Sequence, residues 1–133
     1  MDRAALGWVL ALVCGSAAAD WTPVGGDGTI FAAYADPASV KPSADGVQML
    51  GLYDFLMADV SADGQPHEST VVLREYDCRG RRVRLLAYVD YAGHMGAGRV
   101  ISPAGGHGPG RWEIIVPGAL DEFFLGVACA QTR

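Results

Sequence analysis

ESTVVLREYDC (Glu68 to Cys78), RGR (Arg79 to Arg81) and RVRLLAYVDY (Arg82 to Tyr91) read as two β-strands around a tight turn. β-Branched and aromatic residues fill both arms, and Gly80 interrupts them. The charges support a register. With Arg79-Gly80 as a two-residue turn, Asp77 faces Arg82 and Glu75 faces Arg84, opposite charges that contribute a few tenths to about 1 kcal/mol per cross-strand pair. The same register sets Tyr76 against Val83 and Val72 against Ala87. Cys78, Tyr76, Val72, Val83 and Leu85 then share the other face, which needs a covering element. Arg74 points to that face as well, and a cation there calls for a buried partner or an edge position.

The covering element is legible near the end of the chain. After Pro117-Gly118, the residues Leu120, Phe123, Phe124, Val127 and Ala128 recur at three- and four-residue spacing, an amphipathic helix with Asp121 and Glu122 in its first turn, where carboxylates complement the macrodipole. Cys129 lies off the centre of that stripe. Either Leu125 and Cys129 form one edge of the contact, or the helix frays before Cys129.

Upstream of the hairpin, Trp21 to Val24 and Thr29 to Ala35 form another hairpin around Gly25-Gly26-Asp27-Gly28. Asp36-Pro37 and Lys41-Pro42 are expected to break regular structure; Val47 to Met57 is a strand and Ala58 to His67 a polar loop. Arg99 to Ser102 and Trp112 to Val116 are weaker strands flanking a glycine-rich loop. The class is therefore α+β, an antiparallel sheet with one C-terminal helix packed on a face.

Met1-Asp2-Arg3, an apolar run from Ala4 to Cys14 and Ala17-Ala18-Ala19 have the layout of a secretory signal cleaved after Ala19, leaving residues 20–133 as one domain. The run is shorter than the roughly twenty residues a membrane span needs, so no transmembrane segment is expected. Lipidation at Cys14 is disfavoured, because the preceding residues, Leu12 and Val13, are not the small ones that processing requires. Cys78 and Cys129 remain in the mature chain, where an oxidising compartment favours a structural bridge over two free buried thiols. The net charge of −5 argues against nonspecific nucleic-acid or anionic-membrane binding.

WTPVGGDGTIFAAYADPASV near the mature start, LREYDC before a turn, GAGRVIS, RWEIIVPG and a final cysteine in a helix together resemble the surface-adhesin protein E-like family of Gram-negative envelope proteins. The resemblance runs from Trp21 to Cys129. It implies a sheet of about six antiparallel strands and one C-terminal helix, tied together by a Cys78–Cys129 disulfide. The founding adhesin of that family binds host extracellular-matrix and serum proteins, while fold alone does not carry function across.

Candidate sites are few. Arg79, Arg81, Arg82 and Arg84 have the basic spacing of a sulfated-glycan or other anion site, although the register already pairs Arg82 and Arg84. Gly25 to Thr29 lacks the lysine of a phosphate loop and precedes a strand, so it is a turn; Gly105 to Gly110 reads as a mobile surface loop. His67, His94 and His107 sit in separate loops without ligand spacing, and Asp27, Asp36 and Asp45 shape turns. No metal or cofactor is expected. With no nucleophile beside an evident base, the chain does not read as an enzyme. Two functions stay open: an exported binding module for host matrix or serum proteins or sulfated glycans, and a periplasmic structural or accessory protein without adhesion. Periplasm, cell surface and release from the cell all suit the signal. Tyr53, Phe55, Tyr88 and Tyr91 supply aromatic surface for a partner or for a homodimer.

Overall fold

The computed structural model describes residues 20–60, 64–102 and 109–131. The expected signal segment with its expected cleavage after Ala19, Cys14 and His107 lie outside them, as does the glycine-rich stretch before Pro109. The strands are β1 (Thr22–Gly26), β2 (Phe31–Ser43), β3 (Gly46–Val60), β4 (Pro66–Asp77), β5 (Arg82–Tyr91), β6 (Val100–Ser102) and β7 (Glu113–Ile114), followed by the helix α1 (Leu120–Ala130). β1 to β6 form one antiparallel meander in sequence order, and β7 pairs with the start of β5. Among the described residues, no helix is long and apolar enough to cross a membrane.

Near the β4–β5 turn the register is the expected one: Asp77 opposes Arg82, Tyr76 opposes Val83 and Glu75 opposes Arg84. It slips by one residue farther on. Arg74 pairs with Leu85 but Leu73 with Ala87, so Leu86 is bulged out and Val72 meets Tyr88 instead of Ala87. The prolines do not end β2. They sit beyond the stretch that β1 covers, Ala32 to Ala35, where that side of β2 has no neighbouring strand to miss a backbone donor; Pro37 falls in the irregularity between Asp36 and Lys41, and Pro42 pairs with Val47. Ser39 fastens this bulge, donating its hydroxyl to the Asp36 carbonyl (2.6 Å) and accepting the Leu50 N–H (2.8 Å). The polar loop after Met57 is also shorter than expected, since β3 continues to Val60 and β4 begins at Pro66.

α1 covers one sheet face. Phe124, Leu125 and Ala128 pack on Ala33, Ala35, Val47, Met49, Tyr76 and Val83, the alternate residues of β2 to β5. Gly51 makes room for the Phe124 ring: a Cβ there would lie 3.1 Å from Phe124 Cε1. Leu85 stays partly exposed, because α1 does not reach it. The helix is rotated from the expected stripe, with Leu125 only 4% exposed and Phe123 57% exposed. The bridge supplies the reason. Cys78 and Cys129 are disulfide-bonded with Cα atoms 5.9 Å apart, and Leu125 lies one turn before Cys129 on the same helix flank. Leu125 and Cys129 thus form the contact edge, and α1 continues to Ala130 without fraying.

Candidate binding surface

Beneath α1, Arg74 finds the buried partner that its position demanded. Its Nη1 donates to the Tyr53 hydroxyl (2.6 Å) and lies 3.4 Å from Asp121 Oδ1, while the guanidinium stacks 5.3 Å from the Tyr53 ring centre and 5.9 Å from that of Phe124. Burial pushes the Tyr53 phenol up, outweighing the opposite pull of Arg74, so the hydroxyl stays neutral and accepts the bond. Arg74 is spent on holding the helix. Tyr53 likewise belongs to the interior and offers no free aromatic contact.

The arginine turn is largely self-neutralised. Arg82 donates to Asp77 Oδ2 from Nε (3.0 Å) and Nη2 (2.8 Å), Arg81 Nη2 reaches Glu122 Oε2 at 2.6 Å, and Arg84 Nε donates to Glu75 Oε1 at 2.6 Å. Arg79 makes no ion pair among the described residues. Trp112 lies against two of these cations, its ring centre 4.9 Å from the Arg82 guanidinium and 4.4 Å from that of Arg84. This clamp was not legible in the sequence, since it joins β5 to a segment almost thirty residues away through the β5–β7 pairing. The remaining turn aspartates behave locally: Asp27 Oδ1 accepts the N–H groups of Thr29, Ile30 and Phe31, which hold its carboxyl below the ordinary value. Asp36 Oδ1 accepts the Ala38 N–H, whereas Asp45 is drawn 3.3 Å from Arg84.

The sheet face opposite α1 is the more open one. Register places Tyr34, Leu52, Val71 and Val89 in one cross-strand row, and Leu50, Leu73 and Ala87 in the next. The Arg84–Glu75 and Arg82–Asp77 pairs border these rows on the turn side. Leu50, Val71, Leu73, Ala87, Tyr88 and Val89 line a shallow apolar groove of about 190 Å³. A 3-10 turn, His94–Gly96, sits over the far end of the rows and closes off Leu52. Ser69 staples that turn, donating to the Gly93 carbonyl (2.6 Å) and accepting the Gly96 N–H (2.9 Å). Asp54 Oδ1 accepts the Met95 N–H (2.8 Å) and lies 3.1 Å from His94 Nδ1, whose other ring nitrogen is 3.4 Å from Glu68. A larger hollow of about 400 Å³ separates the β1–β2 turn from the start of α1, lined by Val24, Phe31, Leu120 and Phe123. It is the margin of the core, because Val24, Phe31 and Leu120 also pack on the buried cluster. Among the described residues, no three His, Cys, Asp or Glu side chains are arranged to hold a metal ion; His67 faces Asp90 at 3.5 Å and stacks edge-on against Phe55.

Residues 21–130, nearly the whole described chain, match the family described as surface-adhesin protein E. The chain belongs to this family. It is a surface-adhesin-like protein of the cell envelope, and the family together with its fold points to binding, not catalysis. No curated protein matches it. Solved structures of Haemophilus influenzae protein E share its fold: one has a TM-score of 0.60 at 14% identity, covering 74% of this chain and 76% of that one. A second crystal form gives 0.61 at 13% identity, covering 74% and 80%, and protein E of a non-typeable strain gives 0.54 at 12%, covering 84% and 87%. The surface-adhesin sheet, its C-terminal helix and the Cys78–Cys129 bridge are the parts that the sequence already placed.

Proposed function

We propose that this surface-adhesin family member, cut after Ala19, is an exported binding module that engages host matrix or serum proteins through the sheet face opposite α1. The apolar groove between Leu50 and Val89 carries this reading: aliphatic side chains lie half-exposed in mid-sheet, beside rows of satisfied ion pairs. A protein fits such a surface better than a glycan, which would need free polar groups. Screening the purified mature domain against matrix proteins, plasma proteins and sulfated glycans should give retention by at least one protein. Intact cells should lose the domain to external protease; protection throughout would make it a periplasmic accessory protein instead.

The arginine turn gives the glycan alternative a direct test. Because Arg81, Arg82 and Arg84 already hold carboxylates, the domain should leave immobilised heparin below about 0.15 M salt. Arg79→Ala combined with Arg81→Ala should shift elution no more than the same charge change elsewhere. Tight retention lost specifically in that variant would restore the turn as a sulfate site.

A further inference from the structure

We infer that the end of the sheet away from the Cys78–Arg82 turn docks a cationic, apolar segment of a partner protein; this rests on the binding-module reading and specifies its partner. The start of β2, the second half of β3, the start of β4, the end of β5 and the start of β6 meet there. Of the ten large apolar side chains exposed among the described residues, six gather at this end: Ile30, Leu56, Met57, Val60, Met95 and Val100. Met57 is 71% exposed. Ile30 and Leu56 are direct neighbours, the Leu56 N–H donating to the Ile30 carbonyl at 2.8 Å.

The charges beside them are one-sided. Asp27, Asp54, Asp59, Glu68 and Asp90 lie at this end, and among the described residues none of them pairs with a lysine or arginine. Among the described residues Arg99 is the single such cation nearby, and the ion-pair partners of these carboxylates are His67 and His94. Among the described residues the one ion-pair partner of Asp59, 60% exposed, is His67 at 3.9 Å, and that of Glu68 is His94 at 3.4 Å. The turn end is the opposite case, with Asp77, Glu75 and Glu122 each held by an arginine. The exposed carboxylates of Asp59 and Glu68, at the same end as the exposed aliphatic side chains, suit a partner carrying both features inverted. The apolar contacts would supply affinity, and the carboxylates orientation and association rate. They repel phosphate, sulfate and anionic headgroups, and a second copy docked by this end would set carboxylate against carboxylate. Four strand spacings separate β2 from β6, about 19 Å, which is the length of about six residues of extended chain.

The test uses the mature domain and an amidated peptide of about nine residues alternating Lys with Val, beside its Glu-for-Lys counterpart. The Lys peptide should bind at least about tenfold tighter, with amide shifts confined to Ile30–Ala32, Asp54–Val60, His67–Ser69 and His94–Gly96. Asp59→Asn with Glu68→Gln should weaken it about tenfold, and Leu56→Ser with Met57→Ser about fivefold. Asp20→Asn with Glu113→Gln, the same charge change far from this end, should cost less than about twofold. Equal losses from both charge pairs, shifts centred on the turn end, or a dimer closed by this end in light scattering would overturn the inference. A matrix protein bound equally by wild type and the Asp59/Glu68 variant would sink it while leaving the binding-module reading intact. Tight, localised Lys-peptide binding by a domain that no matrix or plasma protein retains would do the reverse.

Discussion

Replacing Cys78 and Cys129 together by alanine is expected to lower the unfolding free energy by about 4 kcal/mol. The bridge closes a loop of 51 residues, and on the chain-entropy account a closure of that size removes about this much freedom from the unfolded chain. For a domain of this length the midpoint of thermal unfolding should fall by about 15 °C or more. The effect has a location as well as a size. α1 is the last element of the described chain and touches the sheet through Phe124, Leu125 and Ala128, so the bridge is what ties its C-terminal turn to the end of β4. Amide exchange should therefore accelerate first in α1, while the β3–β4 and β4–β5 ladders keep their protection. Urea unfolding of the double variant measures the total. A loss under about 1 kcal/mol would mean that side-chain packing alone fixes the helix. Non-reducing mass spectrometry of the wild type should show a value about two daltons below that of the dithiol.

Much of this arrangement was legible because it is local. The Asp77–Arg82 and Glu75–Arg84 pairs lie within a few residues of their turn, where one register satisfies charges on one face and apolar side chains on the other. Legibility ended at Leu86. The run RLLAYVDY alternates equally well whichever leucine is extruded, so nothing in it marks the bulge that moves Val72 from Ala87 to Tyr88. The helix was readable as a helix, but its rotation was not. The apolar stripe alone centres near Phe123 and Phe124, and the tie from Cys129 to Cys78 turns Leu125 inward and Phe123 outward. Arg74 announced that it needed a partner, yet the identity of Tyr53 and Asp121 depends on β3 and α1 meeting over it. The open sheet face was hidden for a related reason. MLGL in β3 and VVL in β4 are apolar at consecutive positions, so both faces look like core, and only the placement of α1 decides which remains available.

Glu75→Ala is expected to cost about 3–5 kcal/mol and Glu75→Gln about half as much, because Glu75 joins three elements at one buried point. It is 2% exposed. Oε1 accepts Arg84 Nε from β5, while Oε2 accepts the Ser43 hydroxyl at the end of β2 and the Asp45 N–H (3.3 Å) in the β2–β3 turn. Truncation would leave the Arg84 cation under the Trp112 ring with only its longer contact to the exposed Asp45 (3.3 Å) and Ser43 without its acceptor; the amide keeps the shape but loses the charge. Burial pushes the Glu75 carboxyl up, yet the hydrogen bonds from Ser43, Arg84 and Asp45 and the Arg84 charge outweigh it and hold it below its ordinary value of 4.5. A carboxyl whose pKa is lower folded than unfolded contributes stability that is complete above the unfolded value and is lost as pH falls through the folded one. Unfolding by urea should therefore give a plateau from pH 7 down to about 4.5 and a decline below it. Asp77, held low by the Gly80 N–H and Arg82, and Asp27 pull in the same direction, so Glu75→Gln should flatten that decline without abolishing it. A Glu75→Gln profile parallel to wild type through the acid range would place the linkage on those two aspartates instead, and a Glu75→Ala loss under about 1 kcal/mol would mean that solvent reaches Arg84 and Ser43 once the carboxylate is gone.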